Sequence, residues 1–218
     1  MVGSLALLEA ERLLWEHVWR EDAPRRQRFF EVLAEELQRG RLDLSGVDTL
    51  AVGLGPGNFT GLRTAVMTTL ALGLPDRRLV VGVSSCEALA LDVLRETGAE
   101  DVAVFGDARR QQMWGARYAA GDGGPRVRVP LMLMPGDMVA PELADAAVWV
   151  TPDWERIGLR LRALGGPRAP LLEGPRLPRA RTVGELVRGR SGATARERVA
   201  PIYVHPAVQT EAATGRGA

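Results

Sequence analysis

Two short apolar runs with one helix between them constrain this chain more than anything else in it. Val47-Asp-Thr-Leu-Ala-Val-Gly-Leu54 and Leu79-Val-Val-Gly-Val83 both read as buried strands. Gly55-Pro56-Gly57 breaks the first run, and a helical stretch from about Asn58 to Leu74 is stopped by Pro75. Strand, helix, strand in that order is a βαβ unit. Nearly continuous apolar strands imply a covered, partly parallel sheet.

The first twenty residues conflict internally. Leu5 to Leu14 is built from strong helix formers, whereas Trp15, His17 and Trp19 alternate with Glu16, Val18 and Arg20 at strand period. A helix follows, with Asp22 as cap, Pro24 in the first turn, Phe29, Phe30, Leu33 and Leu37 at helical spacing, and Gly40 at the end. Ser85 is expected to cap a helix from Cys86 to about Thr97. Val102–Phe105 reads as a strand, Asp107–Arg110 as a turn and Met113–Ala119 as a hairpin return. Val127–Met134 and Ala147–Val150 are further strands. Trp154–Leu164 and Thr182–Val187 read as helices, and the chain frays from about Gln209. The second half is a smaller mixed α/β lobe.

Composition excludes several chemistries. The chain has 218 residues, and all 28 of its basic residues are Arg. Without Lys there is no Schiff-base enzyme and no Walker-type phosphate loop. The bland source of that bias is a GC-rich coding sequence, and it is preferred over a functional one. Cys86 alone makes no disulfide framework or Cys-rich zinc site, and His17 and His205 stand at opposite ends. A net charge of +1 gives no global field for nucleic acid, though it leaves room for a local basic patch. No segment reaches the roughly 18 apolar residues of a membrane span, and no signal peptide is legible. The expectation is a cytoplasmic protein without membrane attachment.

Gly53-Leu-Gly55-Pro56-Gly57-Asn58-Phe59-Thr60-Gly61-Leu62-Arg63 is the densest signal. It is a strand end, a glycine-rich turn and a helix start, with Asn58 or Thr60 as cap and Arg63 in the first turns. Such a turn can present backbone N–H groups to an anion, or simply allow tight packing. Both readings stand. The spacing is not that of a Walker loop, and Asp76 lies beyond the helix, where a dinucleotide fold would not put its acidic residue.

The same residues carry a resemblance. Gly55-Pro-Gly-Asn-Phe-Thr-Gly-Leu-Arg63, with Val81-Gly-Val-Ser-Ser-Cys-Glu-Ala-Leu-Ala90, resembles the TsaB (YeaZ) family. Asp107-Ala-Arg-Arg-Gln-Gln-Met-Trp-Gly-Ala-Arg-Tyr118 and Pro201-Ile-Tyr203-Val-His205 are similar to two further family segments, with His205 where the family has Arg. Asn58 replaces the usual Ser, and both cap helices. The resemblance implies a two-lobed α/β fold of the actin-like/sugar-kinase (ASKHA) type with RNase-H-like lobes. Residues 1–85 would form lobe 1, 86–208 lobe 2 with a C-terminal return, and 209–218 a flexible tail. Ser4–Leu8 and Leu13–Trp19 would be the family's second and third strands, so the opening becomes a hairpin against local propensity. The family's first strand is then missing from the front of lobe 1. A mis-set start or a truncation is expected over an evolved loss.

The resemblance also implies a role in making N6-threonylcarbamoyladenosine in tRNA, as a non-catalytic scaffold. The partners would be a TsaD-type catalytic subunit, a TsaE-type ATPase in the complex, and another copy of the chain; tRNA would be met only indirectly. The pairing surface would lie on the first-lobe helices, at Phe29, Phe30, Leu33, Leu37, Leu62, Ala65, Val66 and Thr69. The inventory agrees: no metal ligand set, no Ser–His–Asp pattern and no cofactor is read from the residues. Asp107 is expected to be a turn carboxylate paired with Arg109 or Arg110, and Glu35–Glu36 a solvated helix face. The alternative is a nucleotide-binding enzyme of the same superfamily, a kinase or acyltransferase, using the Gly55–Gly61 loop. A glycoprotease is disfavoured by the missing nucleophile and base.

Overall fold

The computed structural model describes residues 2–20, 28–41, 43–168, 170–190 and 199–205. The Asp22/Pro24 helix start and the tail from Gln209 lie outside them. The opening is a hairpin, β1 (Val2–Glu9) and β2 (Arg12–Arg20), antiparallel with Leu5 opposite His17. Tertiary pairing overrides the helix propensity of Leu5–Leu14. Alternation then sends the two faces of the hairpin to different neighbours.

On one face His17 Nδ1 lies 3.3 Å from Glu36 Oε1 of α1 (Arg28–Gly40), and Arg39 donates to the same oxygen at 2.6 Å. Glu36 is therefore buried, which corrects the expectation of a solvated Glu35–Glu36 pair; only Glu35 faces water. On the other face Glu16 accepts two bonds from the Arg179 guanidinium, and the Ser4 hydroxyl accepts from the amide of Ala180. Ala180 opens α6 (Ala180–Gly189).

β3 (Thr49–Gly53) and β4 (Leu79–Val83) pair in parallel, with α2 (Phe59–Gly73) as their crossover. The predicted βαβ unit is present, within two residues at each boundary. Leu50 and Val80 face α2 at Gly73, where a Cβ would lie 2.6 Å from Val80 Cγ2. Ala51 and Val83 face the opposite way, into a cluster with Ala88 and with Val183 and Leu186 of α6. So α1 and α2 cover one side of the first half, and α6 covers the other. Among the described residues the β1–β2 and β3–β4 ladders are not hydrogen-bonded to each other.

α3 (Ser85–Thr97) is the central helix, buried at Cys86 through Ala90 and closed by Gly98 at φ +66°. Gly98 supplies the left-handed cap that ends it. Beyond it, β5 (Asp101–Arg109), β6 (Gln112–Ala119), β7 (Arg126–Pro135) and β8 (Val148–Val150) form one sheet in the order β7-β6-β5-β8. β5 and β8 are parallel, and the other pairs antiparallel. One face packs Val102, Val104, Trp114 and Tyr118 on α3. The other packs Ala103, Phe105 and Trp149 on Leu143 of α4 (Pro141–Ala144) and Leu161 of α5 (Leu159–Gly165). The stretch read as one helix from Trp154 instead begins with a wide π-type turn, Trp154–Gly158. β5 also runs on through Asp107 to Arg109, into the predicted turn, and the reversal falls at Arg110 and Gln111.

Candidate functional site

The glycine-rich loop is built by its neighbours. Gly55 donates to the Ser85 hydroxyl at 3.0 Å, and its carbonyl accepts from the Ser85 amide at 2.8 Å. Leu54 donates to Val83 at 2.7 Å, and its carbonyl accepts from Ile202 at 2.7 Å. Gly55 has φ +95°, and a Cβ there would lie 2.7 Å from Leu62 Cδ2. This position needs glycine for both conformation and space. The Gly55–Pro56 bond is cis. Asn58 caps α2 by accepting from Gly61 at 3.2 Å, as expected of one of the two candidate caps. The polar groups of Leu54 and Gly55 are thus satisfied internally, which favours the packing reading for this half of the loop. Gly57, Asn58, Phe59 and Thr60 are exposed.

Sequence reasoning gave Ser85 only a helix cap. Its hydroxyl instead holds the loop, and Ser84 stands at the cap without a side-chain bond. No local signal could reveal that, because the partner is thirty residues away in sequence.

Three motif segments meet here. Residues 201–205 run from the loop to the β5–β6 turn. Ile202 bonds Leu54, the Tyr203 ring stacks on Phe59 with centroids 5.2 Å apart, and His205 Nε2 lies 2.6 Å from the carbonyl of Ala108. The Arg63 guanidinium lies 5.2 Å from the centre of the Phe59 ring. At the turn, Asp107 accepts from the Arg109 amide at 2.9 Å, and its other oxygen lies 3.5 Å from the guanidinium groups of Arg109 and Arg156. Asp107 is a turn carboxylate paired with Arg109, with Arg156 as a partner that spacing did not reveal. Arg109, Arg110 and Gln111 all have positive φ, so the two Arg side chains stand out from a tight reversal.

The candidate pairing residues divide by exposure. Phe30, on α1, is 51% exposed, and Met67, on α2, 62%. Ala65 is also exposed; Phe29, Leu33, Leu37 and Thr69 are half-buried. Leu62 and Val66 are buried within the chain itself, Val66 at 1% exposure. Since α1 and α2 lie on the same side of the strands, the exposed members share one side of the molecule.

Burial pushes the Cys86 thiol far above its usual range, and the Ser84 hydrogen bond offsets little of that. Burial also raises the Tyr118 hydroxyl beside it. Both shifts favour the protonated forms of these buried groups. Among the described residues no three His, Cys, Asp or Glu side chains gather as a ligand set, and no helix is long and apolar enough to cross a membrane.

A two-lobed α/β fold, with a βαβ crossover in one half and an antiparallel sheet with one parallel edge in the other, defines an actin-like domain of the ASKHA class. Residues 23–124 match the family described as TsaD: tRNA N6-adenosine threonylcarbamoyltransferase. YeaZ from Pseudomonas aeruginosa aligns with a TM-score of 0.75 and 30% identity over 93% of this chain and 94% of that one. A second P. aeruginosa structure, described as an uncharacterized protein with similarity to peptidase YeaZ, gives 0.74 and 31% over 94% of both chains. The tRNA threonylcarbamoyladenosine biosynthesis protein TsaB of Escherichia coli is 31% identical over 98 residues, 45% of this chain and 42% of that protein. The chain matches less than half the length of the curated relatives. The chain belongs to the TsaB (YeaZ) family.

Proposed function

We propose that this chain is a non-catalytic pairing subunit of the machinery that makes N6-threonylcarbamoyladenosine in tRNA, and that it acts in the cytoplasm. The P. aeruginosa and E. coli relatives support the pathway. The observation that carries the pairing role is the side of lobe 1 formed by α1 and α2, where Phe30 and Met67 lie exposed. Large apolar side chains grouped on one exposed side are what an obligate partner covers. The partner is a TsaD-type catalytic subunit, with a TsaE-type ATPase joining the complex and a homodimer using the same side when that subunit is absent. Phe30, Ala65 and Met67 make the contact; Leu62 and Val66 hold α2 in place from within.

The division into lobes at about residue 85 belongs to this reading, with α6 as the return that covers the first-lobe strands. The internally satisfied Leu54–Gly55 groups weigh against the kinase or acyltransferase alternative. Co-purification with a TsaD-type subunit tests the proposal. A tagged chain should retain that subunit through gel filtration, and Met67→Asp should release it. Retention by both, or by neither, would remove the basis for the assignment.

A further inference from the structure

We propose that Phe59 and Tyr203, flanked by Arg63, form a stacking platform for an unpaired base of single-stranded RNA. The two rings lie 5.2 Å apart at 33° to each other, yet Phe59 is 55% and Tyr203 45% exposed. Two adjacent aromatic side chains on an ordered scaffold leave about half of their surface open to water, with Arg63 and Tyr203 already lying against the Phe59 ring. Every nucleobase offers a matching face, and such stacking tolerates sequence. Arg63 over the Phe59 ring adds a cation, and among the described residues it has no ion-pair partner.

The surroundings suit an anionic chain rather than an apolar protein anchor. No Asp or Glu occurs between Thr49 and Pro75, or between Val199 and His205. The exposed neighbours in the loop are Gly57, Asn58 and Thr60, which are small or polar and form no hydrophobic rim. His205, two residues beyond Tyr203, contacts the Ala108 carbonyl; Arg109, next in the chain, is paired with Asp107, and the exposed Arg110 follows it. Two extended residues span about 7 Å, which brings the turn that carries Arg110 near Tyr203, while Arg63 lies at Phe59. Bases on the rings and phosphates on the arginines are the two halves of single-strand recognition. The platform is also fixed in place, because the Ile202–Leu54 hydrogen bond sets Tyr203 against the loop that carries Phe59.

The choice of RNA rests on the pathway proposed above, and it replaces the indirect meeting with tRNA that the resemblance implied; the site itself rests on the aromatic and charge geometry. The test is an anisotropy titration of the full chain with a labelled anticodon stem-loop, beside a fully paired duplex of the same length. The stem-loop should bind more tightly than the duplex, and added salt should weaken it. Phe59→Ala and Tyr203→Ala should each lower affinity roughly five- to hundredfold. Tyr203→Phe, which keeps the ring and controls for folding, should bind nearly as the parent does. Arg63→Ala should lower the salt slope by about one. Equal affinity for stem-loop and duplex, or alanine variants that bind as the parent does, would overturn the platform. A variant that binds RNA normally but no longer retains the TsaD-type subunit would also overturn it, by making the pair a protein contact. Loss of RNA binding with pairing intact supports it. Failure of the parent chain to pair counts against the scaffold role alone, since the titration uses the isolated chain.

Discussion

The amide of Ile202 donates to the carbonyl of Leu54 at 2.7 Å, and this bond closes the C-terminal segment onto the glycine-rich loop. Gly55, next in the chain, sits at φ +95° with the Ile202 carbonyl 3.3 Å from where a Cβ would stand. Gly55→Ala should therefore strain the loop and displace residues 202–205. The expected cost is about 1–3 kcal/mol, read as a fall in the urea midpoint. Gly57→Ala is the contrast: nothing lies within 4 Å of its Cβ position and its φ is not positive, so its midpoint should stay near that of the parent.

The α1–α2 side separates partner contact from core. Phe30→Asp and Met67→Asp replace exposed side chains and should change stability by about 0.5 kcal/mol or less. Both should weaken pairing with the TsaD-type subunit in a pull-down. Val66→Asp places a carboxylate where 1% of the residue meets water, and should unfold the chain instead. A folded Val66→Asp protein that merely fails to pair would show that α2 presents that residue to the partner.

Much of the fold was legible because its signals are local. The βαβ unit rests on apolar runs and a proline stop, and β3, α2 and β4 fall where those place them. The opening hairpin was not legible from propensity, since Leu5–Leu14 favours helix and only pairing with Arg12–Arg20 settles it. Glu36 was misread for the same reason: its partner His17 is nineteen residues away. At the site the loop residues were visible, whereas the ties through Ser85, Ile202 and His205 depend on chain segments that meet only in three dimensions.

Asp92 should make stability fall as pH rises. Burial raises its carboxyl above the ordinary range; the Thr182 hydroxyl and the Arg181 and Arg95 charges oppose that, and Glu185 adds to it. The folded chain therefore holds this proton to higher pH than the unfolded chain does. Stability declines from the ordinary carboxylate value up to the raised folded value, and the cost is constant above it. Burial raises Glu87 in the same direction, against Arg190. Asp92→Asn can still accept from Thr182, whose hydroxyl lies 2.8 Å from Oδ1, and carries no charge to bury. Urea midpoints should match the parent at about pH 4 and exceed it at about pH 7. A variant less stable than the parent at neutral pH would show that the charged form is the favoured one.

Arg117 and Asp101 form the clasp of the second sheet. Two guanidinium nitrogens lie 2.8 and 2.6 Å from Asp101 Oδ2, and Oδ1 accepts from the Ala147 amide at 2.8 Å. The same arginine donates to the carbonyls of Glu142 and Asp145 at 2.9 and 3.0 Å. One side chain thus joins β5, β6 and the segment leading to β8. Arg117→Ala would leave a buried carboxylate with one donor and two carbonyls without theirs, costing about 2–4 kcal/mol. Arg117→Lys keeps the charge but not the planar fork, so it should fall between. Adding Asp101→Asn to Arg117→Ala removes the uncompensated charge, and the pair should cost less than the sum by about 1 kcal/mol or more. Strict additivity in denaturant melts would mean that Arg117 acts through the carbonyls of Glu142 and Asp145 rather than through Asp101.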